Sequence, residues 1–348
     1  MKPLICVPMG DPAGIGPEIL AAVAANPDIY KTARLLGIGD GRVFKRAAQA
    51  MHVAPTIQET SGSLSDIREN AFNFIDLANA DPTTFETGKP GPVNGKAAYE
   101  YVAYATKLAL AGKVDALATT CLNKEAMHMA HVPYIGHTEI LAELTGIKNP
   151  LTMFQVRSLR VFFLTRHLSL RKACDAVTKE TLLPFIFRCH DALKQLGIAK
   201  PRLFVAGLNP HCSDNGLFGT EEHAAIAPAV LAAQQAGYDV CGPFPADSVF
   251  HMALAKNTCD AVISLYHDQG HIATKMVDFE RTISVTLGLP FLRTSVDHGT
   301  AYDIAGKGQS NPASLLEAIR LACLYAPTFQ ESQKACSDFV CRVRDMSS

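Results

Sequence analysis

Short, continuous apolar runs alternate with longer stretches of helical spacing along most of this 348-residue chain. Residues 4–9, 34–38, 72–77, 115–119, 202–207 and 260–265 read as buried strands. A strand buried on both faces shows an unbroken apolar run instead of an alternating one. Residues 41–51, 95–111, 179–196 and 312–326 carry apolar positions at helical spacing. Pro327 is expected to end the last of these helices, with a peripheral polar segment running on to Ser348. Strand and helix in alternation predict an α/β fold with a mostly parallel sheet. Residues 151–156 and 159–164 break that rhythm. They read as an antiparallel pair across Arg157 and Ser158, marking a second lobe. The prediction is a three-layer α/β/α subunit of two lobes with a cleft between them.

Composition adds little to this and removes several classes. A hydrophobic content of 48% with 19% charged residues is that of a globular chain. A net charge of −1 gives no general pull toward nucleic acid or anionic membrane, so any anion must be recognised locally. No apolar run is long enough to span a bilayer. The opening residues read as a first strand and not as a signal peptide. The ten cysteines are scattered without a Cys-x-x-Cys, which predicts reduced core residues in a cytoplasmic protein.

The chemistry gathers where strands end. The run at 260–265 stops in Tyr266, His267, Asp268, Gln269, Gly270 and His271, with Lys275 close behind. Ligands of open α/β sheets collect at such carboxyl ends. Imidazoles, a carboxylate and an amine together can bind a metal, move a proton and hold an anion; a polar turn with surface histidines is the plain alternative. His167 and His211 follow apolar strands in the same way, and three strand-end histidines on one cleft would make a metal site.

Other loops are candidates. Gly10-Asp-Pro-Ala-Gly-Ile-Gly-Pro-Glu18 joins a strand to a helix. Glycines there admit a ligand to a helix N-terminus, although strand-turn-helix geometry needs glycine in any case. His137 and Thr138 open a helix and suit a phosphate or carboxylate, with Thr138 as a simple N-cap the equal alternative. Lys124, at another helix start, faces an anion or solvent. Asp247 is either an N-cap or a carboxylate aimed at the cleft. Arg293, at a strand end, suits bidentate anion binding.

Two stretches resemble the decarboxylating dehydrogenases of the isopropylmalate and isocitrate type: the Gly10–Glu18 loop, and His298-Gly-Thr-Ala-Tyr-Asp-Ile-Ala-Gly-Lys-Gly308 with Asn311-Pro312. In those enzymes the corresponding histidine and aspartate hold the adenosine of NAD. The resemblance therefore implies a discontinuous NAD lobe, 1–125 plus 275–348, with Gly10, Asp11, Gly14, His298 and Asp303 at the cofactor. Residues 126–274 would form the substrate, metal and dimerisation lobe.

The match is closer to the 4-hydroxythreonine-4-phosphate dehydrogenase family and runs from Leu4 to about Ala326. It includes Gly-His-Thr-Glu, Asn-Pro-His, Tyr-His-Asp-Gln-Gly and Thr-Leu-Gly-Leu-Pro-Phe. The family implies a homodimer with active sites shared between subunits. It implies a divalent metal, zinc ahead of magnesium, manganese or cobalt, on His167, His211 and His267, with one of the three reaching in from the partner subunit. His137 and Thr138 would contact substrate, and Lys275 and Arg293 would hold its phosphate or carboxylate end. Asp247, Asp268 and Lys275 are the candidates for the catalytic base.

Where the family often has Asn among its substrate contacts, this chain has Ser284. With residues 120–126 and 267–272, that resembles a branch oxidising 4-phospho-D-threonate or 4-phospho-D-erythronate to dihydroxyacetone phosphate and CO2. The alternative is 4-hydroxythreonine-4-phosphate dehydrogenase of vitamin B6 biosynthesis. A remote one is an acyl- or phosphotransferase on a related scaffold, which would not need the adenosine loop.

Overall fold

A computed structural model of the chain describes residues 1–61 and 63–345. It divides into two compact units, Met1–Pro150 with Thr286–Ser348, and Leu151–Val285. The divisions fall later than the 125 and 274 expected. His137 and Thr138 thus belong to the first unit, and Lys275 and Ser284 to the second.

In chain order the first unit runs β1 (Leu4–Pro8), α1 (Gly16–Ala24), β2 (Arg34–Gly39), α2 (Gly41–Ala50), β3 (Ile57–Glu59), β4 (Phe72–Asp76), α3 (Pro92–Leu110), β5 (Ala116–Thr119), α4 (Lys124–Met129) and α5 (His137–Thr145). The second holds β6 (Leu151–Val156), β7 (Leu159–Phe163), α6 (Leu170–Asp175), α7 (Lys179–Gln195), β8 (Leu203–Ala206), α8 (Ala227–Gln235), β9 (Val240–Phe244), α9 (Ala246–Lys256), β10 (Ala261–Ser264) and α10 (His267–Val277). β11 (Ile283–Leu287) crosses the division, and β12 (Leu292–Val296) and α11 (Ala313–Asp345) return to the first unit.

The strands of the first unit lie in the order β3-β4-β2-β1-β5-β12, and their pairings are parallel. β1 and β5 are buried throughout, as their apolar runs require, and β12 is buried throughout despite Arg293, Thr294 and Ser295. The order in the second unit is β6-β7-β10-β8-β9. β6 and β7 are its antiparallel pair, with Phe154 opposite Val161, and the rest are parallel. Helices flank both runs of strands, so the α/β reading of the sequence holds.

Two local expectations fail. Pro327 lies inside α11, which continues well beyond it. A proline there removes one helical hydrogen bond, at roughly 3 kcal/mol. The apolar stripe nevertheless continues across it: Leu321, Ala322 and Ala326 are buried before it and Phe329 after it. Gln330 then donates to Asp115 at 2.6 Å, so this part of the expected peripheral tail is anchored. After β10 the chain enters the helix α10 with His267 as its first residue, so the alternative of a polar turn does not stand.

Candidate functional site

β10 lies between β7 and β8, parallel to both, with Val262 opposite Val161 on one side and Phe204 on the other. Their carboxyl ends therefore share an edge. His167 follows β7, His211 follows β8, and His267 follows β10 after Leu265 and Tyr266. The His167 and His267 rings lie 6.3 Å apart between centres. His267 Nδ1–H donates to Asp268 Oδ1 at 2.6 Å. A carboxylate only accepts, so this bond fixes the tautomer and leaves Nε2 with its lone pair for a ligand. Asp268, one of the expected bases, is thereby engaged.

His271 sits one turn further along α10, 4.1 Å from the His267 ring and packed against Phe154 and Phe163. Burial, followed by the nearby charges of His267 and Lys275, pushes its pKa down to about 4. Lys275 lays its ammonium 4.8 Å over the ring of Phe279. Asp247 is exposed in the first turn of α9. Pro245 holds the N-cap position there, so the capping alternative for Asp247 does not stand.

His211 stands on an unusual piece of backbone. His211 to Asn215 all have positive φ, and none is glycine. Left-handed backbone costs an L-residue roughly 1–2 kcal/mol, so a run of five needs outside support. Glu222, 3% exposed, anchors the segment just before it: Oε1 accepts from the Leu208 and Asn209 amides at 2.8 Å each, and Oε2 accepts from Asn209 Nδ2 at 2.9 Å. Glu222 lies in a π-helical turn, Glu222–Ile226. In sequence it looks like one more acidic residue at a helix start.

These donors fit a zinc-like ion in kind: imidazoles, one held by a carboxylate behind it. Among the described residues no three His, Cys, Asp or Glu side chains form a metal-binding group. The chain thus brings His167 near His267 and does not complete a set of three with His211.

In the first unit, β12 pairs with β5 so that Arg293 lies opposite Leu117. Arg293 is only 5% exposed. Its Nε and Nη2 donate to Thr119 Oγ1 at 3.0 and 2.7 Å, and Nη1 donates to Thr286 Oγ1 at 2.9 Å. These hydroxyls fix the plane of the guanidinium. His137 opens α5 behind Gly136, which occupies the N-cap position. Thr138 is therefore not the cap, and Glu139 closes the turn by accepting from the Gly136 amide at 2.8 Å. His137 Nε2 is buried without a hydrogen-bond partner. Burial first, and the charge of Arg293 second, hold its pKa well below the ordinary histidine value.

That shift has a sign that can be tested. Native His137 stays neutral where the unfolded chain takes up a proton, so stability is lost as pH falls below about 6.5. The slope it contributes reaches at most about 1.4 kcal/mol per pH unit. Urea unfolding from pH 7.5 to 5.0 should show wild type losing stability relative to His137→Gln. A gap between the two that stays constant over this range would refute the assignment.

The loops read as a cofactor site meet within the first unit. The Ile15 amide donates to the Thr300 carbonyl at 3.0 Å. Glu18 accepts from the Gly306 amide and the Ser310 hydroxyl. Asp11 is fully buried, and accepts from Tyr302 Oη at 2.6 Å, Asn94 Nδ2 at 3.0 Å and the Ala13 amide at 2.8 Å. Burial nevertheless raises its pKa above the usual carboxylate value.

The glycines have a local reason. A Cβ on Gly14 would stand 2.9 Å from Thr300, and one on Gly10 would stand 2.3 Å from the Thr120 hydroxyl. Close packing accounts for both without a ligand. Room for one exists beside them, in a 290 Å³ cavity walled by Gly14, Glu18, Arg46, Thr87, Gly306 and Lys307. That approaches the size of a small-molecule pocket, roughly 300 Å³ and upward, and two cations suit the phosphate of a nucleotide. His298 and Asp303 lie on the same loop but not on this wall; His298 Nδ1–H donates to the Gly299 carbonyl at 3.0 Å, and Asp303 is exposed.

Thr119, Thr286, Asn94 and Glu222 carry no local signature of these roles. Tyr302 lies within a motif already singled out, where its spacing from Asp303 conceals its bond to Asp11.

Residues 31–322 match the family described as Pyridoxal phosphate biosynthetic protein PdxA. A protein of Fusobacterium nucleatum, provisionally named D-threonate 4-phosphate dehydrogenase, is 53% identical over 335 residues, which are 95% of this chain and 99% of that one. One of the same name from Symbiobacterium thermophilum is 52% identical over 336 residues, with the same coverage. The structure of 4-hydroxythreonine-4-phosphate dehydrogenase from Klebsiella pneumoniae superposes with a TM-score of 0.85 at 38% identity, covering 94% of this chain and 98% of its own. No helix among the described residues is long and apolar enough to cross a membrane. With a family match across most of its length and relatives identical at more than half of their positions, the chain belongs to the PdxA family.

Proposed function

We propose that this protein is an NAD-dependent dehydrogenase that oxidises and decarboxylates a 4-phosphorylated 3-hydroxy C4 acid of the 4-phospho-D-threonate or 4-phospho-D-erythronate type. The observation that carries the reading is Arg293: a buried guanidinium whose plane two threonine hydroxyls fix, beside a histidine kept neutral. Such a fork suits phosphate or carboxylate. The names of the relatives at 52–53% identity point the same way.

The roles follow from the chemistry of each group. Arg293 and Lys275 hold the anionic ends of the substrate, and His137 and Thr138 offer neutral hydrogen bonds. His167, His211 and His267 would hold a divalent ion, zinc before magnesium, with one of the three supplied by a second subunit of a homodimer. Bound there, the ion would acidify the substrate hydroxyl and stabilise negative charge on the neighbouring oxygen. Asp247, Asp268 and Lys275 are the candidates to take the hydroxyl proton, with Asp268 already accepting from His267. Gly10, Asp11, Gly14, His298 and Asp303 would hold NAD, which accepts the hydride.

Ser284 decides between the branches. A hydroxyl in place of the longer amide leaves room beside the substrate. NADH formation at 340 nm, followed with each phosphorylated acid, should favour the hydroxy acids over 4-hydroxythreonine 4-phosphate. Ser284→Asn should move the ratio of kcat/KM toward the amino substrate by several-fold. A wide wild-type preference for the amino substrate would assign the chain to vitamin B6 biosynthesis instead. No NADH formation with any of them would remove the dehydrogenase reading.

A further inference from the structure

We infer that Arg166 is a specificity-determining residue that accepts a hydroxyl at C2 of the substrate and excludes an ammonium there. The inference deepens the function proposed above and rests on it, with the oxidised hydroxyl at C3 brought to His167 and His267. Arg166 follows β7 and directly precedes His167. Pairing between β7 and β10 continues past both strands. The Leu164 amide donates to the Ser264 carbonyl at 2.9 Å, the Thr165 amide to the Leu265 carbonyl at 3.2 Å, and the Thr165 hydroxyl to that same carbonyl at 2.8 Å. The backbone that carries Arg166 is therefore fixed beside the segment leading into His267.

The side chain is half-buried and, among the described residues, has no hydrogen bond and no ion pair. Asp268, the carboxylate on this edge, accepts from His267. Burial alone holds the Arg166 pKa below the ordinary guanidinium value, and the group stays charged. Its charge is felt at His271, after burial, His267 and Lys275, among the causes that lower the pKa of that ring. A half-buried cation without a partner costs stability unless a ligand supplies lone pairs or a counter-charge. A guanidinium offers only donors, and so does an ammonium. Facing each other, they carry like charge and have no hydrogen bond to make, whereas a hydroxyl oxygen offers Arg166 its lone pairs. C2 is bonded to C3, so its substituent lies beside the reacting hydroxyl. The C1 carboxylate is common to the hydroxy and the amino substrates and gains equally from the cation. The group at C2 therefore carries the difference, and repulsion of the wrong one discriminates.

The test uses the full-length protein supplied with Zn2+. Calorimetric titration without NAD, where no oxidation intervenes, measures the affinity for 4-phospho-D-threonate, 4-phospho-D-erythronate and 4-hydroxythreonine 4-phosphate; kcat/KM with NAD follows. Arg166→Met should lower the preference for the hydroxy acids roughly 10- to 100-fold in both readouts. Arg166→Lys keeps the charge and the donors and should keep most of the preference. Ligand-free Arg166→Met should unfold at the wild-type temperature or above it, because the charge removed had no partner. If Arg166→Met fails to fold, Arg166→Gln is judged by the same ratio. An unchanged ratio, or equal losses on all three substrates, would overturn the inference and leave the dehydrogenase reading standing. So would a wild-type preference for the amino substrate. A lower unfolding temperature together with loss of a dimer would also overturn it, by giving Arg166 a partner across a subunit interface. Wild-type protein that binds none of the three would remove the proposed function, and the inference with it.

Discussion

Arg293→Lys is expected to lower kcat/KM for a 4-phosphorylated substrate by roughly 30- to 1000-fold, equivalent to about 2–4 kcal/mol, while NAD affinity stays nearly unchanged. The side chain is buried, and its plane is set by bonds from Nε and Nη2 to Thr119 and from Nη1 to Thr286. A lysine carries the charge but not the fork. Its single ammonium must choose between the threonine hydroxyls and the substrate, and a buried hydroxyl released from its partner adds to the loss. Steady-state kinetics with a phosphorylated substrate and its unphosphorylated analogue separate recognition from general damage. Equal losses on the two, or no loss on either, would remove Arg293 from phosphate binding.

Gly10→Ala is expected to destabilise the fold by about 3 kcal/mol or more. The backbone at Gly10 has φ +75°, which alone costs an L-residue roughly 1–2 kcal/mol. The added methyl would also stand 2.3 Å from the Thr120 hydroxyl and 2.5 Å from the Cys121 carbonyl. Overpacking of that kind adds roughly 1–3 kcal/mol. The strain falls beside the Asp11 amide, which donates to that same Cys121 carbonyl at 3.1 Å, so the buried Asp11–Tyr302 pair should loosen as well. Gly112→Ala supplies the comparison. It too has positive φ, +64°, but nothing lies within 4 Å of its Cβ position. Chemical denaturation should show Gly10→Ala costing clearly more than Gly112→Ala. Equal costs would mean that conformation, and not packing against Thr120, fixes glycine at this turn.

Periodicity and local motifs made much of this protein legible. Unbroken apolar runs located the strands that parallel sheets bury on both faces, such as β1, β5 and β10. The break at residues 151–164 revealed the antiparallel pair. The Gly10 and His298 motifs, far apart in sequence, pointed to one discontinuous unit, and the amide of Ile15 on the carbonyl of Thr300 lies within it. Histidines at three strand ends could be read from sequence because a strand's carboxyl end is a local event. What could not be read depended on distant partners or on competing local rules. Pro327 signals a helix end, but Phe329 is buried and the helix continues through it.

Read alone, the sequence determined the class of fold, the family and the residue types available for chemistry, because hydrophobic spacing and short motifs act over a few neighbouring residues. Only the tertiary structure decided how those residues are held. Thr119 meets Arg293 across 174 positions, and Tyr302 meets Asp11 across 291. His267 turned to its own neighbour, Asp268. Glu222 and Gln269 took the backbone around Gly207. A side chain's hydrogen-bond partner is chosen by which strands and loops the fold brings within about 3 Å, and no rule of local spacing encodes that choice.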